Sequence, residues 1–382
     1  MSTHALFIRA LHQSKIAQGK SIALPVTFNI TTFALAVVLM FGCFASVFAQ
    51  HYQQTNLVSD IPGLAPVTDP NLVNPWGLAR SATSPWWVAD NGTGVSTLYN
   101  GAGQKLALVV TVPPPVGGVP PSAPTGIVFN GGSDFGAARF IFVTEEGTIS
   151  GWSGGTNAVL KFTSPVKAIY KGATLGQNNG ANFLYVANFF NGSVDVFDKD
   201  YVPIVLPSGA FKDSRIPSDF APFNVQNIGG KIFVAYAKQD EDKEDEVAGP
   251  GLGFVDVYNP NGDLELRLKS GHWLNAPWGL ALAPDGFGKD KRRLLVGQFG
   301  SGEIATYDLH NGKFHGLLRG THGHPISIEG LWALAFGNRA NAGPDTTLYF
   351  TAGIDDEAHG LFGTITPIPK GDDDDDDNDD DG

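Results

Sequence analysis

Cysteine is almost absent from this chain. Among 382 residues there is one, Cys43, and it lies in an N-terminal stretch that reads as a cleavable leader. The remaining chain then has neither disulfides nor thiol chemistry to rely on. Amphipathic helical patterning is missing after residue 50, which leaves an all-β architecture. Basic residues are in deficit, with 25 Lys and Arg against 38 Asp and Glu and a formal charge of −13. A surface of that sign repels phosphate backbones, so nucleic acid is not an expected partner. No phosphate loop, zincin motif or CxxC pair occurs. Gly151-Trp-Ser153-Gly-Gly155 fits the G-x-S-x-G pattern, but that nucleophile elbow needs a strand entering a helix. Here it falls in a turn between strands, so no catalysis is expected from it.

What is present in quantity is glycine and proline, 48 and 25 residues, with 42% hydrophobic residues. That combination is material for a large core cut by many tight turns. The first 49 residues stand apart. Arg9, Lys15 and Lys20 precede an apolar run over 33–48, followed by Val47-Phe48-Ala49, and no acidic residue occurs before Asp60. A positive region, an apolar region and small residues before a cut describe a secretory signal peptide over 1–49, cleaved near Ala49. The competing reading is a membrane anchor, although 16 apolar residues fall short of the ~20 that span a bilayer. Loss of the three basic residues takes the charge from −13 to −16. The mature chain is expected to be secreted, periplasmic or envelope-associated, with no transmembrane segment. At the other end, 371–382 holds nine aspartates and is expected to be a disordered tail, because such a block has nothing to bury.

Between these ends the chain repeats itself, and a repeat must be found before a fold is assigned. Six segments begin with Gly and alternate apolar with polar residues. They start at Gly94, Gly147, Gly192, Gly253, Gly302 and Gly360, for example Gly192-Ser-Val-Asp-Val-Phe-Asp198. Period-two alternation marks a half-buried strand. An apolar run precedes each one, at 86–89, 140–144, 183–187, 232–237, 294–297 and 348–352, which makes a hairpin. Further upstream sits an inner-strand signal. It reads Asn74-Pro-Trp-Gly-Leu-Ala79 and again Ala276-Pro-Trp-Gly-Leu-Ala281, with weaker copies at 123–128, 221–224 and 330–335. Glycine there permits inner strands to crowd a central channel.

Six copies of four strands predict an all-β, six-bladed β-propeller over 50–370. The last copy lacks a fourth strand, while an extended segment at 54–59 precedes the first. The expectation is that this N-terminal strand pairs with the last blade and closes the ring. A seven-bladed ring or a β-sandwich is the alternative.

The repeat resembles NHL-type propellers. The body also resembles an uncharacterised family of exported bacterial propeller proteins, many of which carry a PEP-CTERM sorting tail. The matching stretches are Asn56-Leu-Val-Ser-Asp60, Asn71-Leu-Val-Asn-Pro-Trp-Gly77, the segment 236–245, and Gly249-Pro-Gly-Leu-Gly-Phe-Val-Asp256. The resemblance covers about 52–367 and implies a fold and export, with no activity attached. The end of the chain departs from that family. It lacks a Pro-Glu-Pro motif, a closing apolar helix and terminal arginines, so free secretion is expected over sorting.

Propeller topology gathers the loops between second and third strands with the blade-to-blade loops on one face. Channel-mouth candidates on that face are Asp90, Asn91, Glu145, Glu146, Asn188, Gln298 and Asp355, with His272, Trp76 and Trp278. His322 and His324 are added by a further loop. Oxygen ligands from several blades suit Ca²⁺, and Glu145, Asn188 and Asp355 are the candidate ligands. The bland alternative is that Asp and Asn are ordinary turn residues bonding their own backbone. The segment 239–246, with six acids and one lysine, reads as a solvated loop or as a lid over the channel. The leading function is a module that binds a small molecule, glycan or protein. A calcium-dependent hydrolase or lyase, in which the metal would polarise a carbonyl, and a structural matrix component are the alternatives.

Overall fold

Five repeats each form one antiparallel four-stranded sheet, the sixth supplies three strands to a sheet completed from the N-terminal side, and the six sheets stand around a central channel. The computed structural model describes residues 50–369; the segment expected to be a signal peptide, with Cys43, and the aspartate-rich segment expected to be a disordered tail lie outside the described residues. Within them there is no α-helix, only three short 3-10 turns. Blade 1 is representative, with strands Pro75–Ala79, Trp86–Asp90, Val95–Tyr99 and Lys105–Thr111 in order from the channel outward. Burial follows the sequence. The second strand, all apolar but for Asp90, is buried throughout. Outer strands such as Val159–Thr163 and Leu264–Arg267 alternate in exposure as their residues alternate in polarity.

Six of the apolar clusters lie between successive blades. Blade 6, for instance, packs Tyr349 and Phe362 against Trp86 and Tyr99 of blade 1. The seventh fills the channel itself. Hydrophobic burial at every interface supplies the cohesion that disulfides provide in many smaller exported domains.

The ring closes as expected. Tyr52–Ser59 runs antiparallel to the C-terminal strand His359–Pro367, paired from Tyr52 against Pro367 to Ser59 against Leu361 with one register shift between Asn56 and Val58. The buried Tyr52 hydroxyl donates to Asp290 of blade 5 at 2.9 Å. A short fifth strand, Val67–Thr68, pairs outside it and was not anticipated.

All six inner strands break register with their neighbours at the same place. The shift falls between Pro75 and Leu78, Pro124 and Ile127, Tyr170 and Gly172, Pro222 and Asn224, Pro277 and Leu280, and Leu331 and Leu334. Four of these bulges begin at a proline, which has no N–H to give a ladder. A bulge re-aims the side chain within it, and here that residue is Trp76, Thr125, Lys171, Phe223, Trp278 or Trp332. The glycine that follows in blades 1 and 5 is obligatory by contact. A Cβ on Gly77 would run into the Thr125 carbonyl of blade 2, and one on Gly279 into the Trp332 carbonyl of blade 6.

Candidate functional site

The bulge residues meet on the channel axis and close it. Trp76 stacks on Trp332 with ring centroids 3.5 Å apart, and meets Trp278 edge-on at 6.1 Å. It also reaches Phe223 at 6.1 Å, although blades 1 and 4 stand on opposite sides of the ring. Phe299 stacks on Trp332 at 4.1 Å. No open passage remains at this level. Trp332 donates its indole N–H to Asn74 Oδ1 at 3.0 Å, whereas the indole N–H groups of Trp76 and Trp278 have no partner among the described residues.

Among the described residues, Lys171 is the one cation in this layer. Its side chain is fully buried, its Nζ lies 4.9 Å from the Trp76 ring, and it is salt-bridged to Glu145 and, at 3.0 Å, to Asp245. Burial works against the ammonium, but the charges of Glu145, Glu246 and Asp245 outweigh it and hold its pKa above the ordinary value. The network continues around the mouth. Asn91 donates to Glu145 at 3.1 Å, and Asn74 donates to Glu357 at 2.6 Å and to Asn91 at 3.4 Å. Burial pushes the Glu246 carboxyl up to about 8 against the pull of Lys171. Burial raises Glu357 as well, opposed by its bond from Asn74. Residues from blades 6, 1, 2, 3 and 4 thus form one hydrogen-bonded seal over an aromatic floor.

Of the residues singled out in the sequence, Asn91, Glu145, Trp76 and Trp278 take part in this seal or its floor. The others are engaged elsewhere. Asp90 is fully buried inside blade 1, where Oδ2 accepts from the Thr97 amide at 2.9 Å and hydroxyl at 2.8 Å. Gln298 bridges the Asn275 amide and the Val296 carbonyl, both at 2.9 Å. Asn188 donates to Asp195 at 2.8 Å within its own blade. Each ends a second strand, and strand alternation turns its side chain into the blade and away from the axis. Glu146 is exposed and accepts the Ala123 amide at 2.9 Å. Asp355 is exposed, its backbone amide held by Glu329 at 3.0 Å. His272 is exposed beside Trp273, and His322 and His324 are exposed too. The three candidate calcium ligands therefore have separate partners, and among the described residues no three His, Cys, Asp or Glu side chains form a group that could hold a metal.

The segment 239–246 folds back through a bridge between Gln239 and Glu246. It delivers Asp245 to Lys171, and Glu244 to Lys167. The sequence reading missed Lys171. The blade 3 inner strand reads Ile169-Tyr-Lys-Gly-Ala173 and lacks the Pro-aromatic pair, so only Gly172, at the shared offset, marks it.

Open space lies at the other end of the channel. A cavity of about 650 Å³ is enclosed by the second halves of all six inner strands. Leu78, Phe129, Leu175, Ile228 and Phe336 line it while only half-buried, and Arg80 is the one charged residue in its wall. Two uncharacterised proteins of Acanthamoeba polyphaga mimivirus are similar to this chain. One is 30% identical over 332 residues, covering 81% of this chain and 78% of its own length; the other is 30% identical over 330 residues, covering 81% and 84%. The chain belongs to their family.

These relatives are viral, where the resemblance in the sequence pointed to exported bacterial proteins. No protein-family model matches the chain. Among solved structures, a glucose dehydrogenase superposes with a TM-score of 0.50 at 15% identity, covering 78% of this chain and 98% of that one. A virginiamycin B lyase from Staphylococcus aureus gives 0.48 at 12% identity, covering 84% and 100%. At 15% identity the likeness to the glucose dehydrogenase extends to the fold alone. Among the described residues no helix is long and apolar enough to cross a membrane.

Proposed function

We propose that the protein is an exported binding module that takes a small molecule into the open end of its channel. The observation that carries this reading is the cavity of about 650 Å³ framed by all six inner strands. Its size falls within the ~300–1,000 Å³ of small-molecule sites; most lining residues are apolar in type, but polar atoms, among them those of Arg80, Thr174, Gln226 and Asn227, make up more than half of the surface facing the space. The aromatic seal makes the channel a blind pocket, so a ligand buries its surface there without an exit on the far side. Export rests on the basic and apolar leader pattern over 1–49.

The neutral fluorophore N-phenyl-1-naphthylamine tests the pocket. Its emission should rise on addition of the protein. Leu175→Trp, which places an indole in the cavity from a half-buried position, should weaken binding at least tenfold while leaving the unfolding temperature near that of the parent. Absence of binding, or binding indifferent to Leu175→Trp, overturns the reading.

A further inference from the structure

Arg80 sits at the end of the blade 1 inner strand, in the wall of the cavity. Its Nε donates to the Phe336 carbonyl of blade 6 at 2.6 Å, and its guanidinium carbon lies 5.7 Å from the Trp86 ring. Its Nη1 also donates, at 3.5 Å, to the Ser81 carbonyl, so two of its five N–H donors are engaged by backbone and three remain. Arg80 has no carboxylate partner among the described residues. The nearest acid acting on it, Asp345, is itself paired with Arg339 at 2.5 Å. Burial disfavours its charged form, and its pKa lies below the ordinary value for that reason.

A half-buried arginine without an anion is unusual in a chain of charge −13, where acids are in surplus. Buried cations are normally paired, since an unpaired one loses hydration without compensation. The rest of the cavity wall offers no negative charge. Its polar members, Thr174, Gln226 and Asn227, are neutral, and Gln226 and Asn227 belong to blade 4, opposite Arg80 in the ring. A guanidinium anchored by backbone carbonyls at Phe336 and Ser81, with donors to spare, is suited to fork-like recognition of carboxylate, sulfonate or phosphate oxygens.

We infer that the ligand of this cavity is an amphipathic anion, with an apolar body among the half-buried side chains and one acidic group on Arg80. This rests on the small-molecule reading above and names its ligand class. The shared chemistry covers aromatic acids, acyl chains with a carboxylate head and phosphate monoesters.

A matched pair of probes separates the two claims. N-phenyl-1-naphthylamine and its 8-sulfonate have the same apolar body and differ by one sulfonate. The sulfonate should bind about tenfold more tightly, the difference one charge-assisted contact gives. Arg80→Gln should weaken the sulfonate about tenfold more than the neutral probe, so that the preference disappears, while Arg80→Lys should retain part of it. In the unmodified protein, raising salt should weaken the sulfonate and spare the neutral probe. Equal binding of both probes, or equal weakening of both by Arg80→Gln, overturns the anionic assignment and leaves the pocket standing. If neither probe binds, the pocket reading fails and this inference fails with it.

Discussion

The ammonium of Lys171 lies 4.9 Å from the ring of Trp76, joining a fully buried cation to the centre of the channel's aromatic stack. The quadrupole of an indole attracts a cation, more so where water is excluded. Glu145 and Asp245 complete the charge compensation from blades 2 and 4.

Lys171→Met should destabilise the protein by about 1–2 kcal/mol, because partly exposed Glu145 and exposed Asp245 lose their charge-assisted bonds from the buried ammonium. Urea unfolding followed by fluorescence measures this. Adding Glu145→Gln to Lys171→Met should recover part of the loss. If the double variant is as unstable as the sum of the singles, the pairing carries no coupling energy.

Two tryptophans of the plug should respond differently to the same change. Trp332→Phe and Trp278→Phe remove equal volume, but only Trp332 donates an indole bond, to Asn74. The first should cost about 1 kcal/mol more than the second, since Trp278→Phe removes an N–H that had no partner. Equal losses in chemical denaturation would contradict the assignment of these donors.

Stability should fall as pH rises from about 4 to 8. Burial pushes Glu246 up to about 8, and burial with the charge of Asp213 pushes Asp256 up to about 7. Both bind protons in the folded state that the unfolded chain, titrating near 4, has released. The contribution is therefore complete below the unfolded values and is lost as pH passes the folded ones. The bond to Asp60 raises His359, which acts in the same direction. The melting temperature should be at least ~2 °C higher at pH 5 than at pH 8.5, and Glu246→Gln should flatten the slope. A midpoint that rises with pH over this window refutes the prediction.

Removing the chain through Ser59 should open the ring. The strand His359–Pro367 would lose its neighbour and present a free edge, which invites pairing with other chains. Size-exclusion chromatography should show oligomers or aggregate and calorimetry a lower midpoint. A monomer with unchanged melting would show that closure by Tyr52–Ser59 is dispensable.

Much of the architecture was legible because it depends on local pattern. Period-two alternation, the Pro-Trp-Gly copies and the missing fourth strand of the last repeat dictated six blades and the closing strand. The repeat signal failed only where a copy was atypical, as at Tyr170–Asn178, whose lysine stands in an aromatic position. The channel residues were harder to place. Asp90 and Asn91 are neighbours in sequence, yet one is buried within its blade and the other joins the seal. Adjacent residues on a strand end face opposite ways, and no composition rule says which way faces the axis.

The sequence by itself determined the repeat, its count, the all-β character and the acidic surface, because each is a property of short segments and sums. Only the tertiary structure decided which end of the channel is open. Trp76 and Phe223 are far apart in the chain and belong to opposite blades, and neither alone blocks anything; they close the mouth because six inner strands bulge at the same level. The free charge of Arg80 has the same origin. It follows from which carbonyls and carboxylates the closed ring brings near it, and that is settled by the fold as a whole.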